Sequence, residues 1–152
     1  MPAAVFVYGT LMPGHLRWAL LAPFATTSRP ARVAGVVHDT GRGWPAARFA
    51  RPLVARPVTV DVTPAPDDAI EGWLVALDPA TLDEALAVLD EVEGAVPDDG
   101  SGPIAPVGGV TDGGYRRILV RGLDGEEAWA YEALRIDPAW PRLAAWTDQP
   151  ER

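Results

Sequence analysis

The chain contains no cysteine, and all 13 of its basic residues are arginine, so lysine is absent too. Without thiols, disulfides, thiol nucleophiles and zinc–thiolate centres are excluded. Against 21 acidic residues those arginines leave a formal charge of −8. An acidic chain without a basic cluster argues against nucleic acid and anionic membrane as partners. No apolar run approaches the ~18 residues that a membrane-spanning helix needs. The amino terminus lacks the charged n-region of a signal peptide, so a cytoplasmic location is expected. A P-loop and a G-x-G-x-x-G fingerprint are both missing. His15 and His38 have no spacing that makes a metal pair, and neither Ser28 nor Ser101 sits in a nucleophile elbow.

What is present suits one soluble globular domain. The 152 residues are 48% hydrophobic and 22% charged, and a chain of this length buries roughly two-thirds of the surface its unfolded form exposes. Sixteen prolines and 15 glycines imply many turns between short elements. The tail 137–152, with Trp140, Trp146 and three prolines, is expected to pack as a short cap on a domain spanning 1–136 and then to fray.

Ala3 to Tyr8 is apolar on both faces and reads as a central strand, broken by Gly9. Leu16 to Leu21 is a short helical stretch that ends before Pro23. Arg32 to His38, Ala46 to Phe49 and Val58 to Val62 read as further strands, with a glycine-rich loop around Trp44. Ile70 to Leu77 is a strong strand. Asp78 and Pro79 then supply an N-cap and a first-turn proline for a helix running to about Glu93, which Gly94 stops. Ala95 to Gly114 reads as a loop. Tyr115 to Val120 and Glu127 to Tyr131 form a hairpin through Leu123–Glu126. Six or seven short strands with one good helix make an α+β fold, and a closed or nearly closed sheet would hide its edges.

Two places carry chemistry. At 100° per residue Leu82, Leu86 and Leu89 share one helix face, and Glu93 extends that apolar stripe. Asp83, Glu84, Asp90 and Glu91 fall to the side or opposite. A carboxylate on the greasy face loses hydration, and the negative end of the helix dipole acts in the same direction. Both raise its pKa toward the range useful for proton transfer at neutral pH. The alternative is that Glu93 lies at a frayed end and meets solvent or an arginine. The second place is the turn Tyr8–Leu11, where glycine brings backbone close to a ligand and successive N–H groups can hold a carboxylate or an oxyanion. Farther on, strand alternation puts Tyr115 and Arg117 on one face and Arg116 on the other. One of these arginines could meet Glu93 or a substrate carboxylate, or all could be solvated on an edge strand. Tyr131 either caps the core or lines a site.

Taken together these segments resemble the gamma-glutamylcyclotransferase-like superfamily. Its Y-G-[ST]-L turn corresponds to Tyr8-Gly9-Thr10-Leu11, and its D-x-x-E-G helix end to Asp90–Gly94. Its Y-x-R strand corresponds to Tyr115-Arg116-Arg117, and its late strand tyrosine to Tyr131. The resemblance covers about residues 4 to 132. It implies a small mixed β-barrel with flanking helices and Glu93, not Glu91, as the catalytic acid/base. It also implies a substrate site formed by Tyr8, Gly9, Thr10 and Leu11, with Arg117 and Tyr131 as further binding residues. The implied partner is a small-molecule γ-glutamyl amide, cyclised to 5-oxoproline with release of an amine, and no metal or other cofactor is needed. The segment between Gly94 and Tyr115 is long for this pattern, so the rim of the site is expected to differ. Two other functions use the same pocket. One is a module that binds a γ-glutamyl or amino-acid-like ligand without turnover. The other is a lyase that removes a γ-glutamyl protecting group from a larger metabolite.

Overall fold

The computed structural model describes residues 2–53, 62–96 and 114–147. In chain order these form β1 (Ala4–Val7), α1 (Trp18–Leu21), β2 (Ala25–Asp39), β3 (Pro45–Phe49), β4 (Ala69–Leu77) and α2 (Leu82–Glu93). They continue through β5 (Ala95–Val96), β6 (Tyr115–Arg121), β7 (Glu127–Ala133) and β8 (Arg142–Leu143). The strands make one mixed sheet in the order β3-β2-β4-β1-β7-β6-β5, and β8 pairs with β2. β1 runs antiparallel to β4 and parallel to β7. As its unbroken apolar run requires, it sits mid-sheet and is covered on both sides.

The sheet curls until its ends nearly meet. Three hydrogen bonds tie the edge near β3 to the β6–β7 hairpin. The Phe49 N–H donates to Glu132 Oε2 at 2.8 Å, the Tyr115 hydroxyl to the Pro45 carbonyl at 2.6 Å, and the Leu53 N–H to the Leu119 carbonyl at 2.8 Å. Few edge groups are therefore left open to another chain. One face packs Phe6, Tyr8, Phe49, Ile70 and Ile118 into a dense core. There Phe49 meets Phe6 and Tyr8 edge-on, with ring centroids 6.2 and 6.0 Å apart. The opposite face carries Val5, Val7, Val75 and Leu77, covered by Leu82, Leu86 and Leu89 of α2. Burying each of those leucines is worth about 2 kcal/mol.

α2 follows its sequence closely. The Asp78 carboxylate accepts from the Ala80 N–H at 2.9 Å and starts a 3₁₀ turn, Pro79–Thr81, that leads into the α-helix. Gly94 ends it at φ 61°, a left-handed cap that glycine takes without steric cost. Elsewhere the strands run longer than expected. β2 begins at Ala25, seven residues before Arg32, and contains Pro30. Among the described residues β4 is the sole partner of that early stretch, and an exposed edge tolerates a residue lacking N–H. Ala95–Val96, expected as loop, pair in parallel with Tyr115–Arg116. The rest of that loop, 97–113, lies outside the described residues, as does most of the expected strand Val58–Val62; Val62 itself is not in a strand. In the tail, Trp146 is buried as part of the core. No helix among the described residues is long and apolar enough to cross a membrane.

Candidate active site

Where β1 leaves the sheet, Tyr8 to Leu11 form a tight turn. The Met12 N–H closes it on the Gly9 carbonyl at 3.1 Å, and the Arg17 N–H donates to the Thr10 carbonyl at 2.7 Å. A Cβ on Gly9 would stand 2.8 Å from Pro45 Cγ and 2.9 Å from Cδ, so only glycine permits this approach. The Gly9 and Thr10 carbonyls are thus engaged. Among the described residues, nothing accepts a hydrogen bond from the N–H groups of Gly9, Thr10 or Leu11. Buried amides of this kind are strong donors waiting for an acceptor.

The turn forms one wall of a cavity of about 170 Å³, and the end of α2, with Val92 and Glu93, forms another. Drug-sized ligands occupy ~300 Å³ or more, so this space suits a group of amino-acid size. Arg17, Trp44, Tyr115 and Tyr131 also line it. Of the residues selected from the sequence, Glu93, Tyr8, Gly9, Thr10, Leu11 and Tyr131 all meet here. Arg117 does not. It shares a strand face with Tyr115, but two residues along a strand carry it ~6.6 Å away. There it pairs with Asp90 at 3.4 Å and lies over the Trp129 ring at 4.9 Å.

Burial lifts the Glu93 carboxyl from its ordinary 4.5 to about 7, and the positive charge of Arg17 opposes part of that rise. Among the described residues no hydrogen bond or ion pair holds this carboxylate in its charged form. The three cavity tyrosines behave differently. Tyr8 donates to the Tyr131 carbonyl at 2.5 Å, Tyr115 to Pro45, and Tyr131 to Asp90 Oδ1 at 2.6 Å. Burial raises each phenol further above its usual range, and Asp90 adds to the effect at Tyr131. All three therefore remain protonated near neutral pH. They position and donate, and proton exchange falls to Glu93.

Sequence reasoning did not single out three participants. Arg17 was read only as part of a helical stretch. Trp44 was read as loop, and its place beside the turn depends on contacts made across the sheet. Asp90 was placed off the apolar stripe, yet it anchors the Tyr131 hydroxyl. Its local signals are its place at the head of the Asp90–Gly94 motif and its spacing of three from Glu93, which sets both over the same edge of the helix. The two histidines stand apart, with His15 Nδ1 against the Pro13 carbonyl and His38 Nδ1 against the Trp140 carbonyl. Among the described residues no three potential ligands gather to hold a metal ion.

A family model described as gamma-glutamyl cyclotransferase, AIG2-like, matches residues 5–147. No curated protein matches the chain. Solved structures of similar fold include YkqA from Bacillus subtilis, with a TM-score of 0.55 at 19% identity. That match covers 96% of this chain and 40% of YkqA, so the chain spans about two-fifths of its length. The uncharacterized protein PH0828 from Pyrococcus horikoshii gives a TM-score of 0.53 at 15% identity, over 93% of this chain and 86% of that one. At such identities the likeness is one of fold.

Proposed function

Because this chain belongs to the gamma-glutamyl cyclotransferase, AIG2-like family, we propose that it cyclises γ-glutamyl amides to 5-oxoproline, with Glu93 as general acid/base. The observation that carries this reading is the meeting, in one cavity, of a carboxylate poised near neutrality with a turn whose amides lack acceptors.

The substrate's α-amine attacks its own γ-carbonyl and closes a five-membered lactam. Glu93, ionised, takes a proton from the α-ammonium and frees the nucleophile. The new C–N bond gives a tetrahedral oxyanion. As it collapses the old C–N bond breaks, and Glu93 returns a proton to the departing nitrogen. Overall two protons pass from the α-nitrogen to the leaving amine. The reaction is intramolecular, so holding the glutamyl chain curled supplies much of the acceleration, and a cavity of amino-acid size imposes that shape. Arg117 acts at one remove, holding Asp90 where it fixes the Tyr131 hydroxyl.

Incubation of the protein with a panel of γ-glutamyl amines, amino acids and larger conjugates, assayed for 5-oxoproline, tests the proposal. No product from any member overturns it. Binding without product favours the non-catalytic module, and product from bulky conjugates alone favours removal of a protecting group. Between about pH 5.5 and 8, kcat/KM should climb with pH, reach half its maximum near 7 and level off above about 8, because the base works only when ionised. A flat profile would remove Glu93 from the proton transfer.

Gly9→Ala tests the turn. The added methyl must displace the rigid Pro45 ring or the turn itself. Displaced amides should lower turnover roughly tenfold to a hundredfold, with a smaller loss in thermal stability. Full activity in this variant would mean that the turn's close approach to Pro45 has no part in catalysis.

A further inference from the structure

We infer that Arg17 is the binding group for the α-carboxylate of the glutamyl moiety, which leaves the Gly9–Leu11 amides to the developing oxyanion. The inference rests on the γ-glutamyl reading of the cavity and resolves which anion each donor serves.

The local structure aims this side chain inward. Arg17 precedes α1 at its N-cap position, and its own N–H is tied to the Thr10 carbonyl at 2.7 Å. Leu16 and Leu20 are 75% and 42% exposed, whereas Leu21, four residues on from Arg17, is fully buried. Helical phase therefore sets Arg17 on the inward side, next to Leu21, and it lines the cavity. Among the described residues its guanidinium forms no ion pair and donates no hydrogen bond. Among the described residues, Arg117 is engaged with Asp90, and Arg116 and Arg48 with Glu132.

Charge decides the assignment. The substrate's α-carbon carries a permanent zwitterion, an ammonium beside a carboxylate. The cavity offers a matching pair, Glu93 for the ammonium and Arg17 for the carboxylate, with no ion pair between the two. A permanent anion suits a permanent cation with a planar fork of donors. The oxyanion exists only in passing, and fixed neutral dipoles stabilise it without also binding the ground state. A cavity of about 170 Å³ has room for the glutamyl moiety itself, so a cation in its wall meets that moiety before it meets the leaving group.

The test compares L-5-oxoproline, the cyclised moiety with its carboxylate, with 2-pyrrolidinone, the same ring without it. Binding of both is measured by calorimetry to the wild type, Arg17→Gln and Arg17→Lys. The wild type should prefer 5-oxoproline by about thirtyfold or more, as a charge-assisted pair allows. Arg17→Gln should shrink that preference to a few-fold while 2-pyrrolidinone still binds, and Arg17→Lys should keep part of it. An unchanged preference in Arg17→Gln, no preference in the wild type, or equal loss of both ligands overturns the inference. So does a dependence on Arg17 confined to γ-glutamyl amino acids and absent for γ-glutamyl alkylamines, which would put the cation on the leaving group. The substrate panel separates the two readings. No product with an Arg17-dependent preference sinks the cyclase and keeps this assignment. Product with an unchanged preference does the reverse.

Discussion

Replacing Glu93 with glutamine is expected to cut 5-oxoproline formation about a hundredfold or more while the protein stays folded and still binds substrate. Glutamine keeps the shape and removes the base. The same variant has a signature in stability. With a folded pKa of about 7 against an ordinary 4.5, Glu93 keeps its proton in the folded chain where the unfolded chain has released it. Wild-type stability therefore falls as pH rises from 4.5 toward 7, and the full cost of holding the charge in the cavity is present above 7. Glu93→Gln escapes that cost. It should melt roughly 5–10 °C higher than wild type above pH 7, for a gain of up to about 3 kcal/mol, and equal to it below pH 4.5. Glu91, two residues earlier on α2, is exposed and serves as the control. Its glutamine variant should change neither turnover nor melting. Surviving turnover in Glu93→Gln, or a comparable loss in Glu91→Gln, would defeat the assignment.

The second large effect concerns stability. On the opposite side of the hairpin from the cavity, Glu132 is 1% exposed and Arg116 2%. The Arg116 Nε and Nη2 atoms donate to Glu132 Oε1 at 3.1 and 2.8 Å. Arg48 Nη1 lies 3.7 Å from the same oxygen, beyond hydrogen-bond reach but near enough for attraction. The other carboxylate oxygen accepts the Phe49 N–H of β3. One buried anion thus neutralises charge from two strands and helps close the barrel. Glu132→Ala removes it and takes this carboxylate away from two buried guanidiniums. We expect a loss of about 3–5 kcal/mol, seen as a drop in melting temperature of roughly 10 °C and a lower urea midpoint. Glu132→Gln keeps an acceptor for Phe49 and should lose less. A loss below about 1 kcal/mol from Glu132→Ala would mean that water or rearrangement compensates the arginines.

This cluster also marks what could be read in the chain before any coordinates. Alternation along Tyr115–Arg117 separates Arg116 from its neighbours, and the turn at Leu123–Glu126 sets a hairpin register that brings Arg116 opposite Glu132. The signal was local and legible. What strand periodicity left open was whether the Arg116 face meets water or core. The structure buries it, so a solvated edge arginine is not what Arg116 is. Arg117 erred in distance rather than direction, because alternation gives the face of a residue but not how far along it a cavity extends.

The sequence by itself determined the elements whose causes lie within a few residues. These are the mid-sheet strand apolar on both faces, the capped and glycine-stopped helix, and the phase that turns Glu93 rather than Glu91 inward. Periods of 2 and 3.6 are properties of a single segment, so a single segment reveals them. Only the tertiary structure decided what each face meets. It brought Arg17 and Trp44 to the same cavity as Glu93, set the Tyr131 hydroxyl on Asp90, and stretched β2 back to Ala25. Those outcomes depend on the curl of the sheet and on pairings between residues far apart in the chain. A one-dimensional pattern carries no record of them, because it is closure in space that selects each side chain's partners.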